Sequence, residues 1–169
     1  MKLILLFVIW LLIPPAEAKA FEQPLAGISV ALETVNRTDK AIAYYSAIYE
    51  VDAVMVKAII GKESNGDPTA IGHNNNGTTD HGLMQINSCN HTWLSQELGI
   101  TDFMDPVQNI QAGCYILGLL SHKYSDKHQI LMAYNMGETQ MRRLWRQGIR
   151  SSRYSREVMD RYLELKKSQ

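Results

Sequence analysis

The sequence has no excess of charge of either sign, because 17 Lys and Arg residues balance 17 Asp and Glu residues. A neutral chain offers no general attraction to a polyanion, so nucleic acid is not expected as a partner. Internal repeats and low-complexity tracts are missing, and no long stretch alternates strictly between polar and apolar residues. With 46% hydrophobic residues, the chain nevertheless has the apolar content of a globular domain and not of a disordered one.

Cysteine is scarce, with only Cys89 and Cys114 in the chain. His73 and His81 lie eight positions apart in a loop, and no further nearby Cys or His completes a zinc set. No metal or other cofactor is therefore expected. In an exported protein an even pair of cysteines is typical of a disulfide, here Cys89–Cys114. Two independent thiols are the alternative, and the sequence leaves both open.

The longest apolar run, Leu3 to Ile13, has eleven residues, whereas a transmembrane helix needs about 20. Lys2 precedes this run, and Pro14 and Pro15 end it. Ala16-Glu17-Ala18 and Ala18-Lys19-Ala20 then offer cleavage sites in which two small residues flank a third residue. This pattern predicts a signal peptide at residues 1–20 and a mature domain at residues 21–169. The protein is thus expected to be exported to the periplasm, cell wall or medium. An uncleaved segment is the alternative, and only then is a membrane a partner.

Helix signals dominate the rest of the chain, because capping residues precede segments with apolar residues at helical spacing. The expected caps are Asp39 for residues 40–49, Asp52 for 53–62, Asp105 with Pro106 for the helix through Leu120, Asp126 for 127–134, and Ser151 or Ser152 for the last helix. Gly99 ends a further helix that starts near Asn90. Residues 65–80 are rich in Gly, Asn and Thr and predict a long surface loop. We expect a mainly α-helical domain with at most a small extended element.

Three segments carry polar residues inside patterns otherwise suited to a core: Glu63-Ser64, Gly82 to Asn87, and Ala133 to Gly137. Glu63 lies where an apolar helix runs into the Gly/Asn-rich loop. A carboxyl group at such a junction is partly desolvated, and desolvation raises its pKa. A glutamic acid with a raised pKa is suited to donating a proton near neutral pH.

Together these segments resemble the lytic transglycosylase family with the soluble-transglycosylase, lysozyme-like fold. The family motif Glu-Ser-x-x-x-Pro-x-Ala is matched by Glu63, Ser64, Pro68 and Ala70. The motif Gly-Leu-Met-Gln-Ile-Asn is matched by Gly82 to Asn87. The motif Ala-Tyr-Asn-x-Gly is matched by Ala133, Tyr134, Asn135 and Gly137. The resemblance covers about residues 45–140. It is closest to small members that open the cell wall for secretion, conjugation or phage assemblies, which are the partners it implies.

The resemblance implies a role for each motif residue. Glu63 matches the single catalytic acid and base, and Tyr134 matches a tyrosine that holds its carboxyl group. The implied substrate-binding residues are Ser64, Met84, Gln85, Asn87, Tyr134 and Asn135. The implied substrate is the peptidoglycan glycan strand, cut between N-acetylmuramic acid and N-acetylglucosamine without water to leave a 1,6-anhydromuramic end.

Departures from the family pattern leave alternatives open. Gly72 stands where the family often has a serine, the insert at residues 73–80 is long, and His81 occupies a position that is usually small or apolar. Asp80 is a candidate second carboxylate, which would make the enzyme a hydrolytic muramidase. The same loop faintly resembles a calcium site but lacks its spacing. A glycan-binding protein without turnover is the third reading.

Overall fold

The computed structural model describes residue 33 and residues 36–168. The chain divides into two units, residues 1–37 and residues 38–169. The described residues of the first unit, 33, 36 and 37, are helical. The predicted signal peptide at residues 1–20 lies outside the described residues, as do residues 21–32 of the predicted domain. Among the helices that the structure describes, none has the length and apolar character needed to cross a bilayer.

The second unit is mainly α-helical, as expected, and its described residues form seven α-helices. They are α1 (38–48), α2 (Ala53–Glu63), α3 (His91–Leu98), α4 (Pro106–Lys123), α5 (Lys127–Met136), α6 (Glu138–Arg146) and α7 (Arg153–Lys167). A short 3-10 turn, Ser88–Asn90, precedes α3.

Side-chain caps start most of these helices where the sequence predicts them. Asp52, Asp105 and Asp126 accept backbone N–H groups at the starts of α2, α4 and α5. Ser152, and not Ser151, caps α7. Gly99 ends α3 with a φ of 69°, a conformation that glycine adopts without strain. The predicted cap at Asp39 is wrong, because the chain is already helical from residue 36.

A three-stranded antiparallel sheet occupies part of the segment predicted to be a loop. It consists of β1 (Ile71–His73), β2 (Thr79–His81) and β3 (Ile86–Asn87), in that order. Gly72 pairs with Asp80, and Asp80 pairs with Asn87. Strands of two or three residues are too short to show alternation in a sequence, which is why the composition alone indicated a loop.

The core forms where α2, α4, α5 and α7 turn their apolar faces inward. Val56, Ile59, Ile110 and Val158 are fully buried. This packing holds α7 against α2, although 90 residues of sequence separate the end of α2 from the start of α7. The C-terminal end of α2 is thereby placed between the sheet and the start of α7.

The structure contains no disulfide between Cys89 and Cys114, so the open question resolves to two free thiols. Cys114 lies in the core on α4, and Cys89 is exposed in the 3-10 turn. Burial raises the pKa of the Cys114 thiol to about 12, so this group stays protonated and inert at neutral pH.

Candidate active site

Glu63 is the last residue of α2, at the point where the apolar helix reaches the surface. The helix ends here because Asn65 and Gly66 take positive φ angles of 53° and 83° and turn the chain away. The hydroxyl of Ser64 donates to the carbonyl of Leu83 at 2.9 Å. This bond ties the helix end to the segment Gly82 to Asn87, so two of the three motif segments meet at Glu63.

The carboxyl group of Glu63 is held by Tyr154, whose hydroxyl donates to Oε1 at 2.6 Å. The pKa of Glu63 is raised to about 7, mainly by burial and also by the negative charge of Asp80. The hydrogen bond from Tyr154 and the charge of Lys62 act in the opposite direction. A pKa near neutrality suits a group that first donates a proton and then accepts one.

The expectation that Tyr134 holds the carboxyl group is wrong for this structure. The hydroxyl of Tyr134 instead donates to the carbonyl of Met84 at 2.8 Å, so it supports the turn beside Glu63. The residue that holds Glu63 comes from α7, 91 positions later in the sequence. No local sequence pattern around Tyr154 marks its hydroxyl as functional.

An open cleft of about 710 Å³ runs past Glu63. Its walls come from the sheet, from the 3-10 turn and α3, and from α4, α5 and the start of α6. Glu63 lines this cleft. Of the residues expected to bind substrate, Gln85, Asn87, Tyr134 and Asn135 also line it. The structure therefore brings four of the six expected binding residues to one surface.

Met84 and Ser64 are not part of that lining. The side chain of Met84 is fully buried and packs against Gly113 of α4, where an added Cβ would lie 2.2 Å from the Met84 sulfur. The expectation that Met84 lines the cleft is thus wrong, because a close helix approach draws it into the core. Ser64 acts on the backbone of Leu83, as described above.

Gln85 takes a left-handed conformation with a φ of 48°, so the chain turns at this residue. Its amide nitrogen donates to the carbonyls of Ala70 and Gly82 at 3.1 and 2.8 Å. A Cβ at Gly72 would lie 2.8 Å from the amide oxygen of Gln85. Glycine at position 72 therefore leaves the space that the Gln85 side chain occupies.

Asp80 lies on the central strand and lines the same cleft. Its carboxylate accepts hydrogen bonds from the amide nitrogens of Asn74 and Asn87, at 2.8 and 2.6 Å. These two hydrogen bonds fix the carboxylate in place. Within the residues that the structure describes, no group of three or more His, Cys, Asp or Glu side chains is arranged to hold a metal ion.

Comparison with known proteins agrees with this geometry. The model of the transglycosylase SLT domain matches residues 40–155, a range that ends one residue after Tyr154. The chain belongs to the transglycosylase SLT domain family. By this membership it is a lytic transglycosylase, an enzyme of the class that acts on peptidoglycan.

Two relatives illustrate the range of this family. The invasion protein IagB of Salmonella typhimurium is 34% identical over 122 residues, which cover 70% of this chain and 72% of that protein. The transglycosylase of Enterobacteria phage PRD1 is 31% identical over 120 residues, covering 71% of this chain and 41% of the phage protein.

The fold also matches a solved structure, the lytic transglycosylase Slt of Pseudomonas aeruginosa, with a TM-score of 0.63. At 17% identity this likeness shows the fold alone. The match covers 76% of this chain and 24% of the larger enzyme, so the chain spans about a quarter of that enzyme's length. The expected lysozyme-like helical architecture is confirmed.

The hydrogen bond from Tyr154 makes a testable contribution to the acidity of Glu63. Because this bond lowers the pKa of Glu63, Tyr154→Phe should raise it above 7. The proton donor is active when protonated, so the alkaline decline of kcat/KM should move to higher pH. Tyr134→Phe is the matched control, since its hydroxyl binds Met84, and its decline should stay where it is in the parent enzyme. Identical pH profiles for Tyr154→Phe and the parent would contradict this role of Tyr154.

Proposed function

We propose that this protein cleaves the β-1,4 bond between N-acetylmuramic acid and N-acetylglucosamine in peptidoglycan and leaves 1,6-anhydromuramic ends. The observation that carries this proposal is the partly buried Glu63 with a pKa of about 7, placed on an open cleft and held by Tyr154. An open cleft of this volume has room for several sugar rings, and the carboxyl group is poised to give up and regain one proton.

Two steps account for the reaction with a single acid and base. In the first, protonated Glu63 donates to the glycosidic oxygen, and the bond from that oxygen to C1 of the muramic residue breaks. The oxygen of the substrate's 2-acetamido group bonds to C1 as an internal nucleophile, which gives an oxazolinium ion. In the second, the Glu63 carboxylate takes the proton of the C6 hydroxyl, whose oxygen bonds to C1 as the bond from C1 to the acetamido oxygen breaks. No water is consumed, and the tethered hydroxyl has a large effective concentration.

The other cleft residues support these steps. Tyr154 keeps the carboxyl group of Glu63 aimed at the cleft. The Asp80 carboxylate, fixed by Asn74 and Asn87, places negative charge where positive charge develops on the sugar ring. We propose that Gln85, Asn87, Tyr134 and Asn135 contact the glycan strand, because all four line the cleft.

A second candidate is a hydrolytic muramidase in which Asp80 activates a water molecule. The observation that favours it is the position of Asp80 on the same cleft, near enough to raise the pKa of Glu63 by its charge. Glycosidases that use two carboxyl groups and a water molecule are common. The two reactions differ in their products, since an anhydro end is lighter than a reducing end by one water.

Product analysis of purified peptidoglycan tests the proposal. We expect mass spectrometry to find anhydromuramic ends from the parent enzyme. Asp80→Asn should slow the reaction by roughly tenfold, since it removes charge stabilisation, and should still yield anhydro ends. Glu97→Gln, on α3, is a control outside the cleft lining and should leave both rate and product unchanged. Reducing ends from the parent enzyme would assign the hydrolase instead.

We further propose that the protein is exported by a signal peptide at residues 1–20 and opens the wall locally in the periplasm or cell wall. One relative carries the name of an invasion protein, and another is a phage transglycosylase. These names support a partner among secretion, conjugation or phage assemblies that must cross the wall.

A further inference from the structure

Five aromatic side chains, from residues 44–49, from α3 and from α4, form a connected surface. We call Tyr44, Tyr45, Tyr49, Tyr115 and Trp93 the aromatic surface. Neighbouring rings lie 5.1 to 6.1 Å apart from centroid to centroid, from Tyr44 through Tyr45, Tyr49 and Tyr115 to Trp93. The catalytic mechanism makes no use of the four tyrosines.

The two ends of this surface are exposed, whereas Tyr45, Tyr49 and Tyr115 between them are half-buried and pack against the core. Tyr44 is 61% exposed and Trp93 is 37% exposed. Ile48 and Leu119, which are also exposed, border the same region and line an open groove of about 190 Å³ together with Tyr49 and Tyr115. Contiguous exposed apolar groups of this kind are typical of a binding surface.

The aromatic surface is continuous with the catalytic cleft. Trp93 lines the cleft, and its ring lies 6.1 Å from that of Tyr115 at the edge of the groove. The indole N–H donates to Asn90 at 3.1 Å, which holds the ring at this junction. A polymer that leaves the cleft past Trp93 therefore meets the tyrosines next.

We propose that the aromatic surface binds a stretch of the peptidoglycan glycan strand outside the catalytic cleft. This inference rests on the proposed function. The face of a β-linked sugar ring presents C–H groups, which bury apolar area against an aromatic ring, and its hydroxyl groups lie at the edge. Tyrosine matches this pattern because it combines an apolar ring with a polar tip.

Charge also favours a neutral sugar face over an anionic polymer. The groove beside the tyrosines is lined by one carboxylate, Glu50, and by His122, with no Lys or Arg. A surface that bound phosphate or carboxylate polymers would need cations at this place. The strand would thus be held by stacking and hydroxyl contacts, with little dependence on salt.

Binding of long and short glycans tests the inference. The full chain with Glu63→Gln, which cannot turn over substrate, is measured against purified long glycan strands and against tetrasaccharide fragments that fill the cleft alone. Adding Tyr44→Ala should weaken binding of long strands by roughly threefold to tenfold, the value of one aromatic stacking contact. The tetrasaccharide affinity should not change, since a short fragment ends before Tyr44. Tyr44→Phe should retain tight binding of long strands, because the ring remains.

The matched control is Leu163→Ala, which removes an exposed apolar side chain on α7, far in sequence from the surface. It should alter neither affinity. Equal affinity of the Tyr44→Ala protein and its parent for long strands would overturn the inference. The same result is expected if the aromatic surface binds a protein and not the glycan strand. Failure of the proposed function is a separate result, since it appears as missing anhydro products from the chain with Glu63 intact.

Discussion

Glu63→Gln should abolish strand cleavage and keep the fold. Glutamine retains the shape of the side chain and an oxygen that accepts the hydrogen bond from Tyr154, but it cannot donate or take up the proton. Loss of general acid and base catalysis lowers rates by roughly 10²- to 10⁴-fold. Because one residue serves both steps, we expect the upper end of this range. The measurement is release of soluble products from purified sacculi, and undiminished release would refute the assignment of Glu63.

The same variant should change stability in a pH-dependent way. The pKa of Glu63 is about 7 in the folded protein and 4.5 as an ordinary carboxyl, so the folded state binds the proton more tightly. The contribution of Glu63 to stability is therefore largest below pH 4.5 and is lost as pH rises from 4.5 to 7. Glutamine is neutral throughout. Above pH 7 the variant should be more stable than the parent by up to about 3 kcal/mol.

Denaturant unfolding at pH 4.5 and pH 8 checks this expectation. Glu164→Gln, at an exposed position of α7, is the control and should change neither activity nor the pH dependence of unfolding. If the Glu63→Gln protein is inactive but no more stable at pH 8 than the parent, the raised pKa of a buried Glu63 is contradicted. Glu63 would still be essential for activity. Binding of sacculi without product by the parent would instead indicate a glycan-binding protein.

Asn109→Ala should destabilise the fold more than any surface change. This fully buried side chain accepts the N–H of Met84 at 2.8 Å and donates to the carbonyls of His81 and Phe103 at 2.7 and 2.8 Å. Alanine leaves three backbone groups without partners. Each buried unsatisfied group costs about 1–3 kcal/mol, so a loss of about 3–6 kcal/mol in the free energy of unfolding is expected.

The loss should also reach the active site, because Asn109 anchors both ends of the turn that carries Gln85. Gln111→Ala on the same helix removes one partly exposed hydrogen bond, to Tyr45, and should cost less than about 1 kcal/mol. Urea unfolding of the two variants gives the comparison. An Asn109→Ala protein as stable as the Gln111→Ala protein would show that water replaces the lost partners.

Local chemistry explains what could be predicted from the chain alone. An aspartate or serine before an apolar periodic segment starts a helix wherever it occurs, so Asp52, Asp105 and Asp126 marked helix starts correctly. Glu63 at the end of an apolar helix indicated a raised pKa for the same reason, since its burial follows from the residues beside it. The motifs then indicated the family, which the comparisons confirm.

The sequence by itself thus determined the helical class and the family, and it indicated Glu63 as the proposed proton donor, because each depends on neighbouring residues. The tertiary structure alone decided which tyrosine holds Glu63, that Met84 is buried, and that Cys89 and Cys114 stay apart. It also decided that residues 71–81 form a hairpin, which brings Asp80 to the cleft. These features depend on contacts between distant segments, which no local pattern encodes.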